Sequence, residues 1–311
     1  MPFKHRVEFL VFRAARALLR LLPESLSLGI GSGLGWLIGS ALRIRRRVVD
    51  ENLARAFPDR DPRWRREVAL ASYRHLGREA VATFRLAGRA ALVKERTEVH
   101  GMEALERARA EGRGVIIVTG HLGNWEIGGA ALAVRGVPLD AVALPQKNRL
   151  FDRELTENRT RSGVTLIPKR EASRGVLDSV ANGRVPALVA DQNAGRRGLF
   201  VDFFGVPAST ARGAALFSLR SGARLFLAVS VARPGRPHRY DCHLEEVTIE
   251  PTGNTGDDAC RLTQAHTASL ERWVRQEPAQ YFWQHKRWKT RPPPPVPAGG
   301  TVDPGDGYNP K

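Results

Sequence analysis

"VIIVTGHLGNWE", residues 115–126, decides how the chain folds. Its opening run, Val115-Ile116-Ile117-Val118, is β-branched and apolar without polar alternation, as in a strand of a sheet covered on both faces. Gly120 and Gly123 then permit a turn, Asn124 is suited to cap a helix, and an apolar stretch over 125–135 reads as that helix. Strand, glycine turn and capped helix make a βα unit. Strand-like runs recur at 139–144, 164–168, 186–190, 225–232 and 241–250. Helical patterns separate several of them, at 149–161, 171–182, 209–222 and 258–276. This alternation predicts an α/β fold with a mixed, largely parallel central sheet flanked by helices.

The 311 residues divide by composition into a helical N-terminal annex (1–42), an α/β domain (43–291) and a Pro/Gly-rich flexible tail (292–311). Within the annex, Phe3 to Leu22 mixes Phe9, Leu10, Phe12, Leu18 and Leu19 with Arg6, Arg13, Arg16 and Arg20, the pattern of an interfacial helix over anionic lipid. "SLSLGIGSGLGWLIGSAL" (25–42) carries no charge and is followed by "RIRRR". As a helix it would be about 27 Å long, so a single span or a deep embedment in a membrane is expected. Gly31, Gly35 and Gly39 recur at helical spacing, which allows close helix contact.

Lys and Arg number 49 against 32 Asp and Glu, a formal charge of +17 that draws the protein to polyanions. The interleaved aromatics and arginines of an RNA-binding motif are absent, so nucleic acid is not the expected partner. Cys242 and Cys260 are the only cysteines and have no CxxC spacing, which argues against zinc or a disulfide framework.

Ligands of α/β sheets gather at the carboxyl ends of strands. Two polar groups stand there: His121 and Glu126 after the strand at 115–118, and Asp191-Gln192 after that at 186–190. A histidine near neutrality accepts a proton from a hydroxyl, and a carboxylate on its far nitrogen fixes its tautomer. By itself the H-x4-E spacing also fits a capped helix with a hydrogen-bonded histidine. It fits a metal set of His121, Glu126 and Asp191 as well, although no third nitrogen ligand stands nearby.

"VTGHLGNWEIGG" (118–129) resembles the catalytic motif of the bacterial lipid A biosynthesis late acyltransferases, within the lysophospholipid acyltransferase-like superfamily. Three further blocks carry the same resemblance: "RRRVVDENLARAFPDRDP" (45–62), "ADQNAGRRGLFVDFFGVPASTARGAALFSLRSGA" (190–223) and "PAQYFWQHKRWKTRPP" (278–293). The resemblance implies a membrane-associated O-acyltransferase without a cofactor, working on the cytoplasmic side of a bacterial inner membrane. Its donor would be an acyl carrier protein thioester or acyl-CoA, and its acceptor a lipid A precursor hydroxyl. It implies His121 as general base paired with Glu126. Arg161 would hold an oxyanion or an acceptor phosphate, Asn124, Asp191 and Gln192 would order the site or bind a sugar, Phe204 and Gly205 would wall an acyl chain, and Arg287 would face phosphate or the surface. The same chemistry on a phosphatidylinositol mannoside or another lyso-lipid, and a non-catalytic basic membrane- or RNA-binding protein, are the alternatives.

Overall fold

A computed structural model describes residues 3–293, and the tail expected beyond them lies outside the described residues. The elements run α1 (Phe3–Leu21), α2 (Glu24–Ser40), α3 (Arg46–Ala56), α4 (Pro62–Leu86), α5 (Ala90–Arg96), β1 (Thr97–His100), α6 (Met102–Ala110), β2 (Val115–Gly123), α7 (Trp125–Ala133), β3 (Leu139–Ala143), α8 (Arg149–Arg161) and β4 (Thr165–Pro168). They continue with α9 (Ala172–Ala181), β5 (Val185–Val189), β6 (Leu199–Phe203), β7 (Val206–Thr210), α10 (Gly213–Ser221), β8 (Arg224–Arg233), β9 (Arg236–Val247) and α11 (Thr255–Gln276). The seven-stranded sheet has the order β1-β9-β8-β2-β5-β3-β4, with β8/β9 antiparallel and every other pair parallel. The α/β architecture is as the sequence led us to expect.

Strand β2 lies centrally and is covered on both faces. Ile116 and Val118 pack with Leu225, Leu227 and Ala214, whereas Val115 and Ile117 pack with Leu105, Leu132 and Phe226. The chain leaves β2 toward β3 on one side and returns to β8 on the other, so the carboxyl ends of β2 and β5 form the crevice where such sheets bind ligands.

Two segments differ from the reading of the sequence. The helix expected over 209–222 begins only at Gly213, because Val206–Thr210 pairs antiparallel with Leu199–Phe203. Phe204 (φ 58°) and Gly205 (φ 71°) form the connecting turn, and positive φ at both positions suits a tight two-residue hairpin. The uncharged stretch at 25–42 is also not a span: among the described residues no helix is long and apolar enough to cross a membrane. Its glycines serve a protein contact instead. Gly31, Gly35 and Gly39 are buried on one face of α2, where a Cβ on Gly35 would lie 2.0 Å from the Tyr73 carbonyl oxygen of α4.

Candidate active site

The end of β2 is irregular. Thr119 pairs with Ala228 and Gly123 with Ser230, so four steps along β2 match two along β8, and the extra residues bulge outward with His121 at their centre. Gly123 closes the bulge at φ 62°, and a Cβ there would meet the Ser230 carbonyl oxygen at 1.8 Å, so only glycine fits. Asn124 then caps α7, its Oδ1 accepting from the Ile127 amide at 3.1 Å. Its Nδ2 donates to Glu79 Oε2 at 2.9 Å, and the Tyr240 hydroxyl donates to the same oxygen at 2.7 Å. Helix α4 thus braces the loop with a buried polar network, and Asn124 is a capping and anchoring residue.

The carboxylate on the imidazole is Asp191, at the end of the adjacent β5. Asp191 Oδ1 lies 2.7 Å from His121 Nδ1, and its Oδ2 accepts the His121 backbone N–H at 2.9 Å. This corrects the direct His121–Glu126 pairing expected from the sequence. Glu126 points instead to Arg159 of α8, accepting from its Nε at 2.9 Å and forming a second, shorter contact with the same guanidinium. The first turn of α7 rotates Glu126 off the imidazole, whereas parallel β2 and β5 bring His121 and Asp191 side by side.

Burial opposes the charged imidazole, but the charge and hydrogen bond of Asp191, with a smaller contribution from Glu126, raise the His121 pKa above its ordinary 6.5. Burial likewise disfavours the Asp191 carboxylate, and the His121 contacts outweigh it, leaving that pKa below 3.8. Gln192 sits at the other imidazole nitrogen, its Nε2 3.3 Å from His121 Nε2.

His121 and Glu126 line one cavity of about 200 Å³, walled by Ser72, His75, Ala80, Phe84 and Phe282. Trp125, Glu126 and Thr83 are shared with a second, largely apolar cavity of about 110 Å³ that runs between α7, α8 and the sheet past Leu139, Val142, Leu155 and Val164. Arg159 lines this second cavity beside Glu126.

Several expected site residues stand elsewhere. Arg161 lies two residues beyond Arg159 on α8, its side chain 59% exposed and bonded to Glu157 at 3.2 Å, outside the His121 cavity. Phe204 and Gly205 make the β6–β7 turn, with Phe204 edge-on to Phe57, tilted against Trp283 and under the Arg275 guanidinium, away from both cavities. Arg287 is not at the surface: it is 2% exposed, donates to the Ser209 carbonyl at 2.7 Å and to the Thr210 hydroxyl, and lies behind the imidazole where it shares a small cavity with Asp191. It ties the C-terminal segment to that hairpin because burial leaves its donors no water. The sequence reading missed Arg159, although its i+2 relation to Arg161 places the two on different helix faces. It also missed His75 and Glu79, which are far from the motif in sequence and come under the loop only through α4 packing.

The family described as bacterial lipid A biosynthesis acyltransferase matches residues 3–290. The chain is 28% identical over 278 residues to the lipid A biosynthesis palmitoleoyltransferase of Escherichia coli (strain K12), covering 87% of each protein. It is also 28% identical over 280 residues to the lipid A biosynthesis lauroyltransferase of that organism, covering 87% of this chain and 88% of the relative. It is 30% identical over 240 residues to the phosphatidylinositol mannoside acyltransferase of Mycolicibacterium smegmatis, covering 73% of this chain and 75% of the relative. With this match running through the bulge, the hairpin and the C-terminal segment alike, the chain belongs to the bacterial lipid A biosynthesis acyltransferase family.

Proposed function

We propose that the protein transfers a fatty acyl chain from a thioester donor, acyl carrier protein or CoA, to a hydroxyl of a lipid A precursor, with His121 as general base. The observation that carries this is the Asp191-held imidazole opening on a cavity continuous in its lining with an apolar one. Asp191 keeps the proton on Nδ1, so Nε2 is the base. The acceptor hydroxyl displaces the Gln192 amide and gives its proton to Nε2 while its oxygen attacks the thioester carbonyl. Collapse of the tetrahedral species forms the ester and expels thiolate, which takes the proton back from the imidazolium. The donor chain lies in the apolar cavity. Arg159, fixed by Glu126 where the two cavities meet, and the free N–H groups of the first turn of α7 offer positive potential to the oxyanion. No covalent acyl-enzyme is needed.

The N-terminal helices support work at an anionic membrane surface, at the inner membrane of a bacterium. Phe3, Leu10, Val11, Leu18 and Leu21 of α1 and Leu34, Trp36 and Leu37 of α2 are exposed beside a helix rich in arginine. Such a face lies in the headgroup region, and the basic surface speeds encounter with an acidic carrier protein.

Because the base must be neutral, the acid limb of kcat/KM is expected to have its midpoint above pH 6.5, with the rate falling as pH drops through the raised His121 pKa. A pH–rate profile of the purified protein checks it, and a midpoint below that value contradicts Asp191-raised basicity. The function itself is tested by mass spectrometry of the lipids of producing and deleted cells, joined to an assay with lauroyl or palmitoleoyl thioesters. The expected result is a lipid A species heavier by one acyl group. The mycobacterial relative favours one second reading, the same transfer onto a phosphatidylinositol mannoside. An acyl group gained by that lipid and not by lipid A would replace the first reading.

A further inference from the structure

A third cavity, of about 160 Å³, lies between α1 and α4, outside the acyl path described above. Phe12, Ala15, Leu19, Val81 and Phe84 line it, and Arg16, Arg20 and Arg85 stand in its rim. An apolar cavity of about this size takes an apolar guest rather than water. The rim is the unusual part.

Arg85 donates to the Leu22 carbonyl at 3.2 Å and Arg20 to the Phe84 carbonyl at 2.8 Å, so both guanidiniums are fixed without a carboxylate. Arg161 packs against the same corner, its Cδ 3.4 Å from where a Cβ of Gly88 would stand, and Arg89 follows in the chain. Burial first, and then the charges of Arg16, Arg89, Arg161 and Arg85, lower the Arg20 pKa. Among the described residues, Glu154 on Arg16 and Glu157 on Arg161 are the acidic partners here. Converging guanidiniums repel one another and cost stability unless an anion joins them. Arginine is the residue whose fork matches phosphate.

We infer that this arginine-rimmed cavity binds a phosphorylated acyl lipid, with chain carbons between α1 and α4 and its phosphate on Arg20, Arg89 and Arg161. The occupant is the phosphate-bearing, acylated part of the acceptor, because Ala80 and Phe84 line both this cavity and that of His121. That identity rests on the function proposed above; the binding chemistry does not. It also gives Arg161 a role at a distance from the imidazole.

Binding is measured by calorimetry on the full chain carrying His121→Ala, so that acyl transfer plays no part. The probes are dihexanoyl phosphatidic acid, dihexanoyl phosphatidylcholine and inorganic phosphate. Phosphatidic acid is expected to bind at least about tenfold more tightly than the other two, and the exposed pair Arg89→Gln/Arg161→Gln to weaken it by about tenfold or more. Ala15→Trp, which fills the cavity, is expected to remove lipid binding. Equal affinity for inorganic phosphate, or binding unchanged by both sets of substitutions, overturns the site. In the active protein, phosphatidic acid is expected to raise the KM for acceptor without lowering kcat. A fall in kcat at constant KM overturns the acceptor as occupant and points to a bulk membrane phospholipid. Lipid binding that fails while transfer persists sinks this inference alone, and the reverse sinks only the proposed function.

Discussion

Asp191→Asn is expected to lower kcat by about 10⁴ with little change in KM, close to the loss from His121→Ala, although neither substitution removes the imidazole pocket. The reason is geometric. Asp191 accepts twice from His121, once at the backbone N–H and once at Nδ1. An asparagine that keeps the backbone bond with its oxygen turns its NH₂ toward Nδ1 and forces the proton onto Nε2, where the base should be. Transfer kinetics with a saturating acyl thioester check this, and retention of more than about a tenth of the wild-type rate by Asp191→Asn would refute the tautomer argument. Glu126→Gln tests another link: the imidazole keeps its tautomer while Arg159 loses its ion pair. Its rate is expected to fall, with an acid limb displaced slightly to lower pH, because Glu126 makes the smaller contribution to the raised His121 pKa.

The second large effect concerns stability. Gly35→Leu is expected to destabilise the protein by about 3 kcal/mol, the upper end for overpacking, because the obstacle is backbone. A Cβ on Gly35 would lie 2.0 Å from the Tyr73 carbonyl oxygen, and one on Gly77 of α4 would lie 2.1 Å from the Gly31 carbonyl oxygen. Neither carbonyl can move without parting α2 from α4. Gly33, one residue pair away, has nothing within 4 Å of its Cβ position. Gly33→Ala is therefore expected to stabilise by up to about 1 kcal/mol through helix propensity alone. Thermal unfolding of both variants decides the matter, and shifts of the same sign would contradict the packing assigned to α2. Because α4 carries the Glu79 and His75 that brace Asn124 and Gly123, Gly35→Leu should lower activity as well.

What local sequence determined is what local physics decides. The apolar run of β2, the glycine turn and the Asn124 cap follow from side-chain and backbone preferences within a dozen residues. The alternation of strands and helices then implied a covered, mainly parallel sheet. His121 was legible as a candidate base only through the resemblance of its motif, since the H-x4-E spacing by itself fits a capped helix or a metal set equally. Asp191 was legible as a site residue but its pairing with the imidazole was not, since it is 70 residues from His121 and meets it through strand order. A spacing of five residues made Glu126 the nearer candidate, yet the start of α7 turned it toward Arg159. The annex repeats the lesson: its glycines announced close packing, but only the tertiary contact with Tyr73 and Gly77 showed that the neighbour is α4 rather than another helix in lipid. Composition named the apolar and charged residues, and the fold decided which of them face one another, because charge and shape act through distances that only the folded chain sets.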